Sequence, residues 1–279
     1  MPIAKINGVN LYYEVSGKGP AIVFLHGMTG STHDWANQVP VLSPKYKVVE
    51  LDMRGHGKSS APRTEAKYSI PIFAEDVFGL LKLLKIEKCC LVGHSIGGLI
   101  AIQFALSHQK KLAGLVLVDV PKFHGDPRYE ELKLKAQELA RSYGLVASVE
   151  YQYSHNPISK EKLRKHPELK EVSIRKALMT SVDGYIYGGR AIENWQPAIS
   201  RLSEISVRTQ IYWGDEDTLT TAGINILKKG IQDSTLVTIR GAGHNPHEEA
   251  PELFNQLLIE FLGKVWSFKN SKKPLGKEV

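Results

Sequence analysis

The pentapeptide Gly-His-Ser-Ile-Gly at positions 93–97 constrains the fold of this chain more than any other feature. It lies between the apolar segment "CCLVG" and a run, residues 96–107, that is apolar nearly all round. The first has the character of a buried strand and the second that of a helix packed deep against a sheet. A sharp strand-to-helix turn strains its central residue and leaves no room for side chains on either side. The pattern therefore predicts a strand–turn–helix unit, with the hydroxyl of Ser95 projecting above the carboxyl edge of a sheet.

Short, β-branched apolar runs alternate with longer amphipathic stretches through the first half of the chain. This alternation is typical of a mostly parallel sheet flanked by helices, so we predict an α/β fold. The predicted strands are "AIVFL", "KVVEL", "CCLVG" and "LAGLVLVDV", and residues 70–85 have the spacing of a helix. The opening segments meet at "NGVN" and predict an antiparallel hairpin.

The character of the sequence changes between residues 121 and 203, where charge density rises and the apolar period becomes helical. After it the strand pattern resumes with "VRTQIYWG" and "TLVTIR", and a closing helix begins at Pro251. We predict a core domain from residues 1–120 and 204–265, an inserted helical cap at 121–203, and a basic tail at 266–279.

Composition excludes several functional classes. The formal charge of +7 owes much to lysines in the tail "GKVWSFKNSKKPLGKEV", and no arginine-rich helix predicts a nucleic-acid partner. No apolar run approaches the roughly 20 residues of a membrane-spanning helix, and the start lacks the apolar core of a signal peptide, so we expect no membrane span and a cytoplasmic location. The adjacent Cys89 and Cys90 are expected to be unbonded thiols, and the histidines show no metal-ligand spacing.

Serine is a weak nucleophile at neutral pH, so Ser95 needs a base that an acceptor holds in one tautomer. His244 follows the last predicted strand on a glycine-flanked loop, "GAGHNPHEEAP", and is the preferred base. His247 is the competitor, and its position close to the helix at Pro251 predicts that it faces solvent.

Several carboxylates are candidates for the orienting acid. Asp215, Glu216 and Asp217 lie in the loop "WGDEDTL" after one strand, and Asp119 ends the preceding strand. An aspartate directly after a strand can also cap a turn or helix, so the residues alone leave the choice open.

Five segments carry a resemblance to a known family: "FLHGMTGSTHDW", "LDMRGHGKSS", "LVGHSIGGLIA", "YWGDEDTLT" and "GAGHNPHEEAP". The chain resembles the α/β-hydrolases, in the group that contains cofactor-free haloperoxidases, carboxylesterases, lactonases and carbon–carbon bond hydrolases. The resemblance implies that Asp217 is the acid and His244 the base. It also implies that the backbone N–H groups of Met28 and Ile96 form an oxyanion hole, with His26 fixing the oxyanion loop by hydrogen bonds.

A serine rather than an aspartate at position 95 favours acyl transfer over the alkyl-enzyme chemistry of dehalogenases and epoxide hydrolases. We therefore expect a serine hydrolase that cleaves a small carboxylic ester through an acyl-enzyme, without cofactor or metal. Lactone, thioester or carbon–carbon bond cleavage are variants of the same chemistry, and a ligand-binding receptor with little turnover is the alternative from another class. In this family the cap covers the pocket, so we expect aromatic residues to line it; the candidates are Trp35, Tyr129, Tyr187 and Trp195.

Overall fold

The computed structural model of the chain describes residues 2–121, 130–195 and 199–267. They contain an eight-stranded sheet in the order β1-β2-β4-β3-β5-β6-β7-β8, in which β1 and β2 form an antiparallel hairpin and β3 to β8 run parallel. The predicted α/β architecture and its opening hairpin are confirmed. The strands are β1 Ile3–Ile6, β2 Val9–Ser16, β3 Ala21–Leu25, β4 Lys47–Leu51, β5 Cys89–His94, β6 Leu112–Val118, β7 Thr209–Gly214 and β8 Ser234–Ile239.

Helices cover both faces of the sheet, and this explains why the central strands are apolar at every position. All five residues of β3 are buried: Val23 and Leu25 pack with α2 and α3, while Ile22 and Phe24 pack with α11 on the other face. The helices are α1 Val39–Leu42, α2 Ile70–Leu83, α3 Ile96–His108, α4 Glu130–Tyr143, α5 Leu145–His155, α6 Pro157–Lys165, α7 Leu169–Leu178, α8 Val182–Asn194, α9 Thr221–Gly230, α10 Pro246–Glu249 and α11 Pro251–Ser267.

Helices α4 to α8 occupy the chain between β6 and β7. One of the places where they meet the rest of the molecule is the start of α8, where the Ser181 amide and hydroxyl both donate to the carbonyl oxygen of Gly55. The approach is close: a Cβ on Gly184 would lie 2.4 Å from that same oxygen. Glycine is therefore required where α8 crosses the loop that follows β4.

In the parts of the chain that the structure describes, no helix combines the length and the apolar character needed to cross a membrane.

Candidate active site

Ser95 lies in the turn between β5 and α3 with φ 53° and ψ −119°, a backbone conformation that residues other than glycine rarely adopt. Its amide donates to the carbonyl oxygen of Val118, which ties the turn to the end of β6. A Cβ on Gly93 would lie 2.2 Å from the carbonyl oxygen of Gly97, and one on Gly97 would lie 2.4 Å from that of Leu25. Both glycines are thus sterically required, as the motif predicts.

His244 and Asp217 are brought together from two different strand ends. Nδ1 of His244 lies 2.7 Å from Oδ2 of Asp217 and donates to it, which leaves the proton off Nε2. The Asp217 side chain is buried, whereas that of His244 is 29% exposed and lines the same cavity as Ser95. The histidine is therefore held by a buried carboxylate and borders the same cavity as Ser95.

Asp217 is held as a carboxylate by three donors. Burial on its own raises the pKa of Asp217, but the hydrogen bond and charge of His244, the hydroxyl of Thr220 and the amide of Leu219 outweigh it and lower the pKa below the usual value. Hydrogen bonds to the charged form have this effect. Asp217 is thus ionised at neutral pH and suited to orient an imidazole.

The other two aspartates considered for this position lie elsewhere. Asp215 is exposed and accepts a hydrogen bond from the amide of Gly241, so it joins the loops that follow β7 and β8. Asp119 is fully buried and accepts a hydrogen bond from the Gly214 amide. Neither contacts His244 in the hydrogen bonds that the described residues make, although Asp119 reaches Asp217 through Thr220.

The loop after β3 runs beside Ser95. A turn closed by the Gly30 amide and the Gly27 carbonyl oxygen carries Met28 at its second position, and Met28 lines the cavity with Ser95. Ile96 is the first residue of α3, where backbone N–H groups have no partner within the helix. His26 stabilises the loop: its Nε2 accepts from the amide of Met53, so its Nδ1 carries the proton and donates to the Gly27 carbonyl oxygen. Burial lowers the pKa of His26 and keeps it neutral.

His94, beside the serine, has a role that the sequence does not reveal. Its Nε2 lies 2.7 Å from the carbonyl oxygen of His244, and a carbonyl oxygen only accepts, so Nε2 carries the proton. Burial, with further contributions from His247 and His244, lowers the pKa of His94 well below its usual range. A neutral His94 thus holds the backbone of the loop after β8, which carries His244.

The prediction that His247 faces solvent is wrong. His247 is fully buried, its ring stacks on that of Trp35 with centroids 4.5 Å apart, and its carbonyl oxygen accepts from the side-chain Nε2 of Gln38. This interaction also corrects the expectation for Trp35, which is fully buried between Phe24 and His247 and so cannot line a pocket.

A cavity of about 630 Å³ lies over Ser95, within the size range of small-molecule sites. It is lined by Met28, His94 and Ser95 and, from α7, by Leu169, Val172 and Ser173. Tyr153 of α5 also faces it, with its hydroxyl 2.7 Å from Oγ of Ser173. Both apolar and polar groups are available to a bound molecule.

Two of the aromatic residues that we expected to line the pocket, Trp195 and Tyr187, lie elsewhere. Trp195 packs into the core with its Nε1 donating to Gln103, and Tyr187 packs against Tyr68 with ring centroids 5.5 Å apart. Among the described residues neither lines the cavity over Ser95. Tyr129 lies outside the described residues.

Lys176 of α7 connects the helices between β6 and β7 to two loops beside Ser95 and His244. Its ammonium lies 3.2 Å from Asp34, in the segment after β3, and 3.0 Å from Glu248, in the segment after β8 that also carries His244. Burial on its own lowers the pKa of Lys176, but the two carboxylates outweigh it and raise the pKa above the usual value. Asp34, His247 and Glu248 are close enough to hold a metal ion, yet the ammonium already pairs with both carboxylates. This group therefore provides a fixed positive charge from the chain itself.

Comparisons with known proteins identify the family of the chain. The family model described as the alpha/beta hydrolase fold matches residues 20–251, and the chain therefore belongs to the α/β-hydrolase family of enzymes. A putative 2-succinyl-6-hydroxy-2,4-cyclohexadiene-1-carboxylate synthase of Bacillus subtilis (strain 168) is 29% identical over 91% of this chain and 95% of its own length.

Two solved structures extend the comparison. The enol-lactonase from Burkholderia xenovorans LB400 superimposes with a TM-score of 0.82 at 26% identity, covering 94% of this chain and 99% of its own. A thermophilic esterase from Thermogutta terrifontis gives 0.83 at 26% identity, covering 95% and 99%. The family resemblance predicted from the sequence is thus confirmed.

Proposed function

We propose that this protein is a serine hydrolase that cleaves a small carboxylic ester through an acyl-enzyme intermediate, with Ser95 as nucleophile, His244 as base and Asp217 as acid. The observation that carries the proposal is the short contact between Nδ1 of His244 and Oδ2 of Asp217, which leaves Nε2 of His244 able to accept a proton. A buried carboxylate that orients such an imidazole is the arrangement that activates a serine hydroxyl.

In the proposed mechanism Ser95 Oγ attacks the ester carbonyl carbon as Nε2 of His244 takes the hydroxyl proton. The carbonyl oxygen becomes an oxyanion that accepts from the backbone N–H groups of Met28 and Ile96. Backbone donors are already oriented, so they stabilise the developing charge at little reorganisation cost. His244 then protonates the leaving alcohol, and a water activated by the same histidine releases the acid and restores Ser95.

The cavity supports a substrate of modest size. About 630 Å³ accommodates a small ester but not a polymer chain threaded through the molecule. The esterase and enol-lactonase among the similar structures support ester chemistry, because a lactone is a cyclic ester whose leaving alcohol stays attached to the acyl group.

The first test is Ser95→Ala, which removes only the nucleophilic oxygen. We expect kcat for p-nitrophenyl acetate to fall by about 10⁶-fold, as for loss of a triad member. The circular dichroism spectrum and the melting temperature should stay close to those of the unchanged protein. Turnover within tenfold of the unchanged protein, in a preparation shown by mass spectrometry to carry alanine, would refute the role of Ser95.

A fluorophosphonate probe separates the enzyme from a ligand-binding receptor on the same fold. A serine activated by His244 attacks the phosphorus, so we expect one adduct per chain, located on Ser95 and absent in Ser95→Ala. A receptor without a competent nucleophile remains unlabelled. A panel of aryl esters, lactones and thioesters then distinguishes the acyl-transfer variants by kcat/KM.

A further inference from the structure

A second buried carboxyl group lies behind the proposed triad acid. Asp119 directly follows β6, has a left-handed backbone (φ 41°), and is fully buried. Its amide donates to the Tyr212 carbonyl oxygen, and its Oδ1 accepts from the amide of Gly214, 3.1 Å away. A non-glycine residue in this conformation is strained. This strained residue joins the carboxyl ends of β6 and β7, directly before the loop that carries Asp217.

Thr220 connects the two carboxyl groups. Its Oγ1 lies 2.8 Å from Oδ2 of Asp217 and 3.4 Å from Oδ1 of Asp119, and the threonine is fully buried. A hydroxyl has one proton to donate, and the shorter distance assigns that proton to Asp217. The same Oδ2 of Asp217 accepts from His244. A continuous series of side chains thus runs from Asp119 through Thr220 and Asp217 to His244.

The two carboxyl groups receive different numbers of hydrogen bonds, so they do not stabilise a negative charge equally. Asp217 accepts from three donors, whereas Asp119 accepts one backbone hydrogen bond, at 3.1 Å, and its Oδ2 has no hydrogen-bond partner among the described residues. Two buried carboxyl groups that share one hydroxyl cannot both be ionised at low cost, so the negative charge belongs on the better-solvated one. Burial, reinforced by the charge of Asp217, raises the pKa of Asp119 well above its usual range.

We propose that Asp119 is an uncharged positioning residue, which acts through Thr220 to hold Asp217 in the orientation that accepts the Nδ1 proton of His244. A protonated Asp119 can donate to Oγ1 of Thr220 while Thr220 donates to Asp217. The hydrogen bonds then all point toward Asp217 and stabilise its charge. The proposal rests on the proposed function, because it assigns a role in orienting the triad.

The test compares Asp119→Ala, Asp119→Asn, Thr220→Val and Thr220→Ser. Turnover of p-nitrophenyl acetate is divided by the number of sites that a fluorophosphonate titrates, so that misfolded protein does not count. We expect Asp119→Ala and Thr220→Val each to lower kcat per titrated site about tenfold with KM changed less than twofold, because the oriented state and not substrate binding is lost. Thr218→Val, an exposed threonine on the same loop, is the matched control and should leave kcat unchanged.

The conservative variants separate positioning from bulk structure. Asn at position 119 is uncharged and keeps an oxygen that accepts from Gly214. That oxygen carries no proton for Thr220, because both partners meet the same Oδ1, so Asn should restore only part of the activity that Ala loses. Ser at position 220 keeps the hydroxyl and should restore most of the activity that Val loses. The Asp119→Ala/Thr220→Val double variant should lose no more than the worse single variant, since both act in one series. Equal activity per site in Asp119→Ala and the unchanged protein would overturn the proposal.

The charge state has its own readout. Replacing an ionised Asp119 by Asn would remove a negative charge beside His244 and shift the acidic limb of the kcat/KM pH profile to lower pH by more than half a unit. Our proposal expects no such shift, and a shift would refute it. Infrared spectroscopy should detect a buried protonated carboxyl band that Asp119→Asn abolishes, and its absence from the unchanged protein would also refute the proposal. This band needs no turnover, so the result stands even if the protein hydrolyses no ester.

Discussion

Replacement of Asp217 by asparagine is the sharpest test of the proposed triad, because the structure predicts which way the new amide turns. Oδ1 of Asp217 accepts from the amide of Leu219, and Oδ2 accepts from His244 and Thr220. An amide nitrogen at the Oδ1 position would face a backbone N–H that cannot move away. At the Oδ2 position it faces a hydroxyl that can rotate and an imidazole that can change tautomer. The nitrogen should therefore face His244.

An amide donor at that position forces the proton of His244 from Nδ1 to Nε2, and the imidazole can then no longer accept the proton of Ser95. We expect kcat to fall by about 10⁴-fold, or about 5 kcal/mol of transition-state stabilisation, with little change in KM. The assay is hydrolysis of p-nitrophenyl acetate per titrated Ser95 at neutral pH. Asp215→Asn, on the exposed part of the same loop, is the matched control and should cost less than twofold. A variant at Asp217 that keeps more than a tenth of the original kcat/KM would refute the reasoning.

Two further predictions concern the fold. Gly184→Ala places a Cβ 2.4 Å from a core carbonyl oxygen and should destabilise the joint between α8 and the core, whereas Gly189→Ala on the same helix meets nothing closer than 3.8 Å and should be neutral or slightly stabilising; equal melting temperatures would contradict this. Burial, together with the charges of Glu14 and Asp52, raises the pKa of Glu50 to about 8. The native state then holds a proton that the unfolded state loses above its lower pKa, so unfolding free energy should fall as pH rises from about 5 to 8. Glu50→Gln removes that fall. In urea titrations, the unfolding free energy of the variant minus that of the unchanged protein should therefore grow as pH rises from about 5 to 8. A difference that does not depend on pH would contradict this prediction.

The elements around Ser95 were predictable because their signals are local. The run at residues 96–107 predicted a helix, and the structure has one at Ile96–His108; the five-residue apolar runs are the strands β3 and β4. Each pattern spans about a dozen residues, and the strand-to-helix turn follows from the two glycines that lie two positions before and after Ser95. The choice among Asp119, Asp215 and Asp217 was different, since all three follow strands and only the hydrogen bond to His244 separates them.

His247 was misjudged because its burial depends on a distant segment. In "NPHEEAP" its neighbours are polar, and a short helix at the protein surface is the ordinary interpretation. The structure places Trp35 against its ring and Gln38 on its carbonyl oxygen, and both belong to a loop more than 200 residues away in the sequence. Nothing local to either segment signals this contact, so sequence reasoning placed Trp35 in the pocket and His247 in solvent when each in fact buries the other.

The residues that line the cavity could not be predicted for a related reason: they depend on which face of α7 is turned toward the core. Large aromatic side chains are the usual candidates, but Val172, Ser173 and Lys176 face the cavity because of how α7 docks on the core. Lys176 fixes how α7 docks through its ion pairs with Asp34, in the segment after β3, and Glu248, in the segment after β8. A shift of α7 by one residue turns its face by about 100°. That rotation would move the Lys176 ammonium away and leave the buried Asp34 unpaired, which would cost about 3–5 kcal/mol of folding free energy. Each of these charged residues, taken alone in the sequence, has the character of an ordinary surface residue, and only their contact in the folded chain determines which side of α7 faces the cavity.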